Sequence, residues 1–103
     1  MCPKQTPQYD TETIERTRLK TPKNFKVVLL NDDYTPMDFV VSILESIFQK
    51  SPAEAVKIML AVHNQGKGLC GIYTKQIAEA KVELVHLQAE EHNYPLKCIM
   101  EEA

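Results

Sequence analysis

The 103-residue sequence has no tryptophan, only three glycines and only three cysteines. Cys2, Cys70 and Cys98 are an odd number with no C-x-x-C spacing. Neither a disulfide framework nor a structural zinc site is supported. Cys70 and Cys98 fall in strand-like runs and read as small buried hydrophobes, with nothing nearby to lower a thiol pKa. So few glycines leave no phosphate-binding loop, and neither G-x-S-x-G nor H-E-x-x-H occurs. No apolar run approaches the roughly 20 residues that a membrane-spanning helix needs. Met1-Cys2-Pro3 is followed by no apolar segment of signal type. Charge of one sign is lacking too: 12 basic and 14 acidic residues leave a formal net charge of −2, which is no nucleic-acid footprint. These absences predict a cytoplasmic protein with no cofactor, no metal, no membrane and no nucleic-acid partner.

What is present suits one small soluble domain: 44% apolar and 25% charged residues. Residues 1–24 contain only Ile14 and Leu19 among Val, Ile, Leu and Phe. They cannot bury enough surface to offset ordering, so the expectation is a flexible N-terminal extension over 1–24 and a folded core over 25–103. Phe25 to Leu30 has the composition of a buried strand. Asn31-Asp32-Asp33 ends it with turn-forming side chains. Thr35-Pro36-Met37-Asp38 reads as a helix start with Thr35 as N-cap and Pro36 at N1. The apolar spacing through Met37, Val40, Ile43, Leu44, Ile47 and Phe48 carries that helix to near Lys50. Ser51-Pro52-Ala53-Glu54 is a capping box opening a second helix. That helix closes at Asn64 or Gln65, with Gly66 just beyond. Leu69 to Tyr73 reads as a strand. Thr74 opens a third helix whose Ala78, Val82, Val85 and Ala89 face the core, and Pro95 to Met100 is a last strand. The order β-α-α-β-α-β predicts a compact α+β domain: a three-stranded antiparallel sheet packed on three helices.

Three features could carry chemistry. Asn31-Asp32-Asp33 could be a plain strand-to-helix turn, yet a turn needs one such residue rather than three. Adjacent carboxylates repel unless a cation pairs with them. His63 shares a helix face with Val56, Met59 and Leu60, where a histidine is either a partly buried structural residue or a functional one. Met37, Met59 and Met100 are either core filler or part of an adaptable apolar pocket. The second helix is apolar almost all round, so a face left uncovered would form such a pocket. A Cys70–His63 dyad has no support, because a strand cysteine among apolar neighbours has a high pKa.

Five motifs then resemble one family. They are N-D-D-Y-T-P-M at Asn31–Met37, M-L-A-V-H at Met59–His63, C-G-I-Y-T at Cys70–Thr74, A-E-A-K-V at Ala78–Val82 and P-L-K-C at Pro95–Cys98. In this order and at this spacing they resemble ClpS, the adaptor that delivers N-degron substrates to the ClpA unfoldase of the ClpAP protease. The resemblance spans residues ~25–103. It implies an adaptor, not an enzyme, that binds proteins beginning with Leu, Phe, Tyr or Trp.

The same resemblance implies residue roles. Asn31, Asp33 and His63 would hydrogen-bond the substrate's free α-ammonium, with Asp32 adding negative potential at the rim. Leu30, Thr35, Met37, Val40, Met59, Val62 and Leu96 would line the side-chain pocket, with Met37 as a gate against β-branched residues. Tyr34, Gln76 and Lys81 would face the N-domain of a ClpA-type unfoldase. Ala80 stands where the family often has threonine, and Gln76 where some members have an acid. The implied partners are the unfoldase and N-degron peptides, and the implied state is a monomer. The competing reading is a structural interaction module of the ribosomal-stalk C-terminal-domain type without N-degron binding. An enzyme using His63 and Asp33 as an acid–base pair comes third, since the chain has little room for a cleft.

Overall fold

The computed structural model describes residues 23–103. The expectation of a flexible extension over 1–24 falls almost wholly outside them, as does Cys2. The described residues form β1 (Asn24–Leu30), α1 (Met37–Ser46), α2 (Pro52–Gln65), β2 (Lys67–Thr74), α3 (Lys75–Glu91) and β3 (Lys97–Glu102). The sheet has the order β2-β1-β3, with both pairings antiparallel. This is the α+β architecture that the hydrophobic pattern predicts.

β1 is the central strand, and its β-branched and leucine residues fit that place: Val27 and Leu29 are fully buried. They face α3, which lies across the sheet, while α2 packs beside β2 and against α1. Ile43 and Leu44 of α1, Ala55 and Val62 of α2, and Ala78, Val85 and Ala89 of α3 complete the core. Val82 is only half-buried, and Ile77 and Leu84 beside that stripe are exposed. Cys70 and Cys98 are both free and buried. Burial, together with the nearby Cys98 sulfur, pushes the Cys70 thiol up to about 12, and burial pushes Cys98 to about 12. Neither thiol is a nucleophile at neutral pH.

The helix ends follow the sequence signals with two corrections at α1, and Thr74 stands at the start of α3 without a side-chain cap hydrogen bond. Ser51 does cap α2, its hydroxyl accepting from the Glu54 N–H at 3.3 Å. Thr35 does not cap α1. Pro36 occupies that position, and the Thr35 hydroxyl instead donates to the Asp32 carboxylate at 2.8 Å. The helix starts one residue later than the signal implies, so Thr35 lies outside the cap position and its hydroxyl serves the loop instead. The second correction is at the other end of α1, which stops at Ser46 rather than near Lys50. Gln49, at φ 53°, turns the chain, and the Lys50 N–H returns to the Leu44 carbonyl at 3.0 Å. The Lys81 ammonium closes this end as well, donating to the Ile47 carbonyl at 2.6 Å. It also lies 5.9 Å from the Phe48 ring centre and 5.5 Å from that of Tyr73. A cation at a helix C-terminus and over two ring faces is favourable on both counts.

Gly66 ends α2 at φ 91°, its N–H donating to the Val62 carbonyl at 3.0 Å. A side chain there would meet open space, so only backbone strain opposes one. Both helix ends can be tested by stability. Gly66→Ala is expected to lose about 1 kcal/mol in urea unfolding. Lys81→Met, which keeps the apolar stem but orphans the Ile47 carbonyl, is expected to lose about 1–3 kcal/mol. An unchanged urea midpoint for Lys81→Met would remove the structural role given to its ammonium.

Candidate functional site

The chain leaves β1 at Leu30 and enters α1 at Met37, and the six residues between form one wall of a cavity of about 360 Å³. The other wall is the C-terminal half of α2. The two meet because the Asn31 N–H donates to the Gly66 carbonyl at 2.9 Å. That bond places the end of β1 against the end of α2, so His63 comes to the same cavity as Asn31 and Asp33.

Asp32 is the organiser of the connecting loop. Its Oδ1 accepts from the backbone N–H groups of Tyr34 and Thr35, each at 2.8 Å. Its Oδ2 accepts from the Thr35 hydroxyl at 2.8 Å. Burial pushes this carboxyl up, but the Thr35 hydroxyl and the two amides outweigh it and hold it below the usual aspartate value. The ionised form, and with it the turn, is therefore in place above the ordinary carboxylate range and lost only as pH falls below it. This changes the sequence expectation that two carboxylates together require a cation. Asp32 already has three donors inside the loop. Among the described residues, no partner engages the side chains of Asn31, Asp33 or His63, and all three are exposed.

The cavity is divided in character. Asn31, Asp32, Asp33 and His63 make its polar part, and Met37, Val40, Met59 and Val62 its apolar part. Val40 and Val62 are 5% and 3% exposed and fixed in the core, whereas Met37 is 45% exposed at the mouth. Such a site suits a ligand with a cationic group next to a single apolar side chain. Exposed Val56 and Leu60 do not line it, although the helical spacing grouped them with His63. Thr35 lines the cavity as expected.

Leu30 and Leu96 do not line it. Leu30 ends β1 half-buried, and Leu96 is 3% exposed in the core beside a separate cavity with His86 and Tyr94. Pro36 does line it and was not expected, although its place between Thr35 and Met37 pointed there. Tyr34, 78% exposed, is also at this cavity rather than beside Gln76. The register shows why: Leu30 pairs with Lys67 and Asn24 with Thr74, so Tyr34 and Gln76 follow opposite ends of β1. A seven-residue strand separates those ends by about 20 Å at roughly 3.3 Å per residue. Lys81 is half-buried and tied to Ile47, and Gln76 is exposed beside another cavity with Thr74, Lys75 and Glu79. The Cys70–His63 pairing is absent, since Cys70 faces the core and His63 the cavity. Among the described residues no His, Cys, Asp and Glu group could hold a metal ion, and no helix is long and apolar enough to cross a membrane.

The family described as ATP-dependent Clp protease adaptor protein ClpS matches residues 20–99. The ATP-dependent Clp protease adapter protein ClpS of Cupriavidus metallidurans is 54% identical in an alignment of 101 residues that covers 95% of this chain and 94% of that one. That of Nitratidesulfovibrio vulgaris is 53% identical over 93 residues, 90% of this chain and 93% of its own. Among solved structures, Agrobacterium tumefaciens ClpS2 bound to L-phenylalaninamide is similar with a TM-score of 0.78 and 34% identity, over 80% of this chain and 99% of that one. With a family match across the folded part and relatives more than half identical over nearly its whole length, this chain belongs to the ClpS family of ATP-dependent Clp protease adaptors.

Proposed function

We propose that this protein is a cytoplasmic, monomeric adaptor, not an enzyme, that binds the free N-terminus of proteins beginning with Leu, Phe, Tyr or Trp. It then delivers them to a ClpA-type unfoldase of the ClpAP protease. The observation that carries this reading is one cavity of about 360 Å³ with uncommitted polar groups at one side and an apolar wall at the other. That volume is near the low end for small-ligand sites, roughly 300–1,000 Å³, and suits one residue rather than a folded segment. The L-phenylalaninamide bound by the Agrobacterium protein has two matching parts, a free α-amino group and an aromatic side chain.

In this reading Asn31, Asp33 and His63 take the α-ammonium. Asn31 and Asp33 accept from it through oxygen, and His63 accepts through the unprotonated nitrogen of a neutral ring. A charge-assisted hydrogen bond contributes about 1.5–3 kcal/mol net. Met37, Val40, Met59 and Val62 take the side chain, whose burial adds about 1.5–3 kcal/mol. Association entropy offsets part of this, which keeps the complex reversible, as delivery requires. Internal residues are rejected because they have no ammonium. β-Branched first residues are rejected by Met37, which acts as a gate at the cavity. An extra methyl in a tight pocket costs about 1–3 kcal/mol. The competing stalk-type module needs no anionic cavity, and family membership favours the adaptor.

Delivery needs a second surface. Of the three residues suggested for it, Gln76 is exposed on the first turn of α3, apart from the ligand cavity. Lys81 is half-buried, with one of its three donors on the Ile47 carbonyl, and the others are left for an unfoldase contact.

Two measurements test the reading. A peptide beginning with Phe or Leu, titrated by fluorescence anisotropy, is expected to bind at least about tenfold more tightly than its Nα-acetylated twin. Equal binding, or none, removes the adaptor reading. Asp32 separates loop order from charge. Asp32→Ala is expected to weaken peptide binding by about tenfold, while Asp32→Asn, which keeps Oδ1 as acceptor for both amides, loses much less. Equal losses in the two variants would mean that Asp32 acts through its charge.

A further inference from the structure

Gly68 is buried in β2 opposite the fully buried Leu29, and its backbone does not call for glycine. Among the described residues Gly66 alone of the glycines has a positive φ. Space explains Gly68 instead. A Cβ there would lie 2.7 Å from Val62 Cγ2, 3.0 Å from the Ile58 carbonyl oxygen and 3.2 Å from Ile58 Cγ2. The second of these atoms is helix backbone, so turning one side chain does not relieve the crowding. The strand is tied in place by its pairing with β1, where Gly68 stands opposite Leu29. A side chain at position 68 therefore presses on α2, by lifting the helix or by driving the Val62 methyl the other way.

The other side of Val62 is the ligand cavity. Val62 is 3% exposed and forms the apolar wall with Met59 and Val40. We infer that Gly68 is a positioning residue for substrate selection: its missing side chain lets α2 seat against β2 and so sets the width of the cavity that receives the first side chain. This deepens the adaptor reading and rests on it. Gly68 touches no ligand. It acts through Val62, and the large first residues are the ones that need the width it provides.

The experiment compares peptides beginning with Phe and with Leu on the full chain. Gly68→Ala is expected to weaken the Phe peptide by about ten- to hundredfold and the Leu peptide by about threefold or less, since overpacking penalises the bulkier ligand most. Val62→Ala placed on Gly68→Ala removes the methyl in the clash. It is expected to return Phe binding to within about threefold of Val62→Ala alone, a coupling between touching residues. A general loss of stability would weaken both peptides by one factor and would not be repaired by deleting a core methyl. Either of those results overturns the inference. If Gly68→Ala does not fold, the double variant decides. A folded, Phe-binding double variant supports the inference, and an unfolded one puts the crowding at the Ile58 backbone and overturns it. If the wild type binds neither peptide, the adaptor reading fails on its own. Methyl NMR then settles the packing claim: the Met59 resonance is expected to shift in Gly68→Ala and return in the double variant, and an unmoved resonance refutes it.

Discussion

The hydrogen bond from the Asn31 N–H to the Gly66 carbonyl, at 2.9 Å, joins the last turn of α2 to the point where the central strand ends. Both partners are held from elsewhere. Asn31 follows a strand that is paired on both sides, and Gly66 is fixed by its left-handed backbone and by its own bond to Val62. Lys67, the next residue, pairs at once with Leu30. Helix, turn and strand therefore meet at one corner, with no slack between them. His63 lies one turn before that corner, and Asp33 two residues after Asn31. The polar end of the cavity exists because the backbone closes here.

The loop that completes the cavity divides labour between two neighbouring carboxylates. Asp32 turns inward and accepts three hydrogen bonds, which gives the loop one conformation. Asp33 is exposed at the cavity, with no side-chain partner among the described residues. A single carboxylate could not do both, because one saturated by amide and hydroxyl donors has little left to offer an ammonium. The apolar end shows the same economy. Val40 and Val62 serve the core and the cavity wall together, so the shape of the site is as rigid as the core itself. A domain of this size has no separate layer in which to build a pocket. Its packing seam at Gly68 and its cavity wall both fall on the same helix, at Val62.

Much of this was legible in the chain. The capping box at Ser51–Glu54, the glycine after Gln65 and the apolar run of β1 placed the elements within a few residues, because each rests on local physics. Asn31, Asp33, Met59 and His63 were legible as a group only through the order of the motifs. What was not legible depends on contacts made elsewhere in the fold. Thr35 looked like a cap because capping is local, but α1 starts one residue later and the Thr35 hydroxyl serves the loop. Lys81 looked like a surface contact, but it reaches back to a helix end 34 residues earlier in the chain. Leu96, expected at the pocket, is 3% exposed in the core, a burial that only the tertiary packing decides.

Two things were set along the chain alone: the order of strands and helices, and the polar and apolar residue types that the cavity brings together. Periodicity, capping and turn chemistry act over a few residues, so they can be read in order. Which residues meet was left to tertiary packing. Packing brought His63 to Asn31, separated Tyr34 from Gln76 by the length of β1, turned Asp32 inward and Asp33 outward, and made Gly68 a matter of space rather than backbone freedom. Those outcomes depend on strand register, on the closing of one corner and on distances between elements far apart in sequence, and no local pattern encodes them.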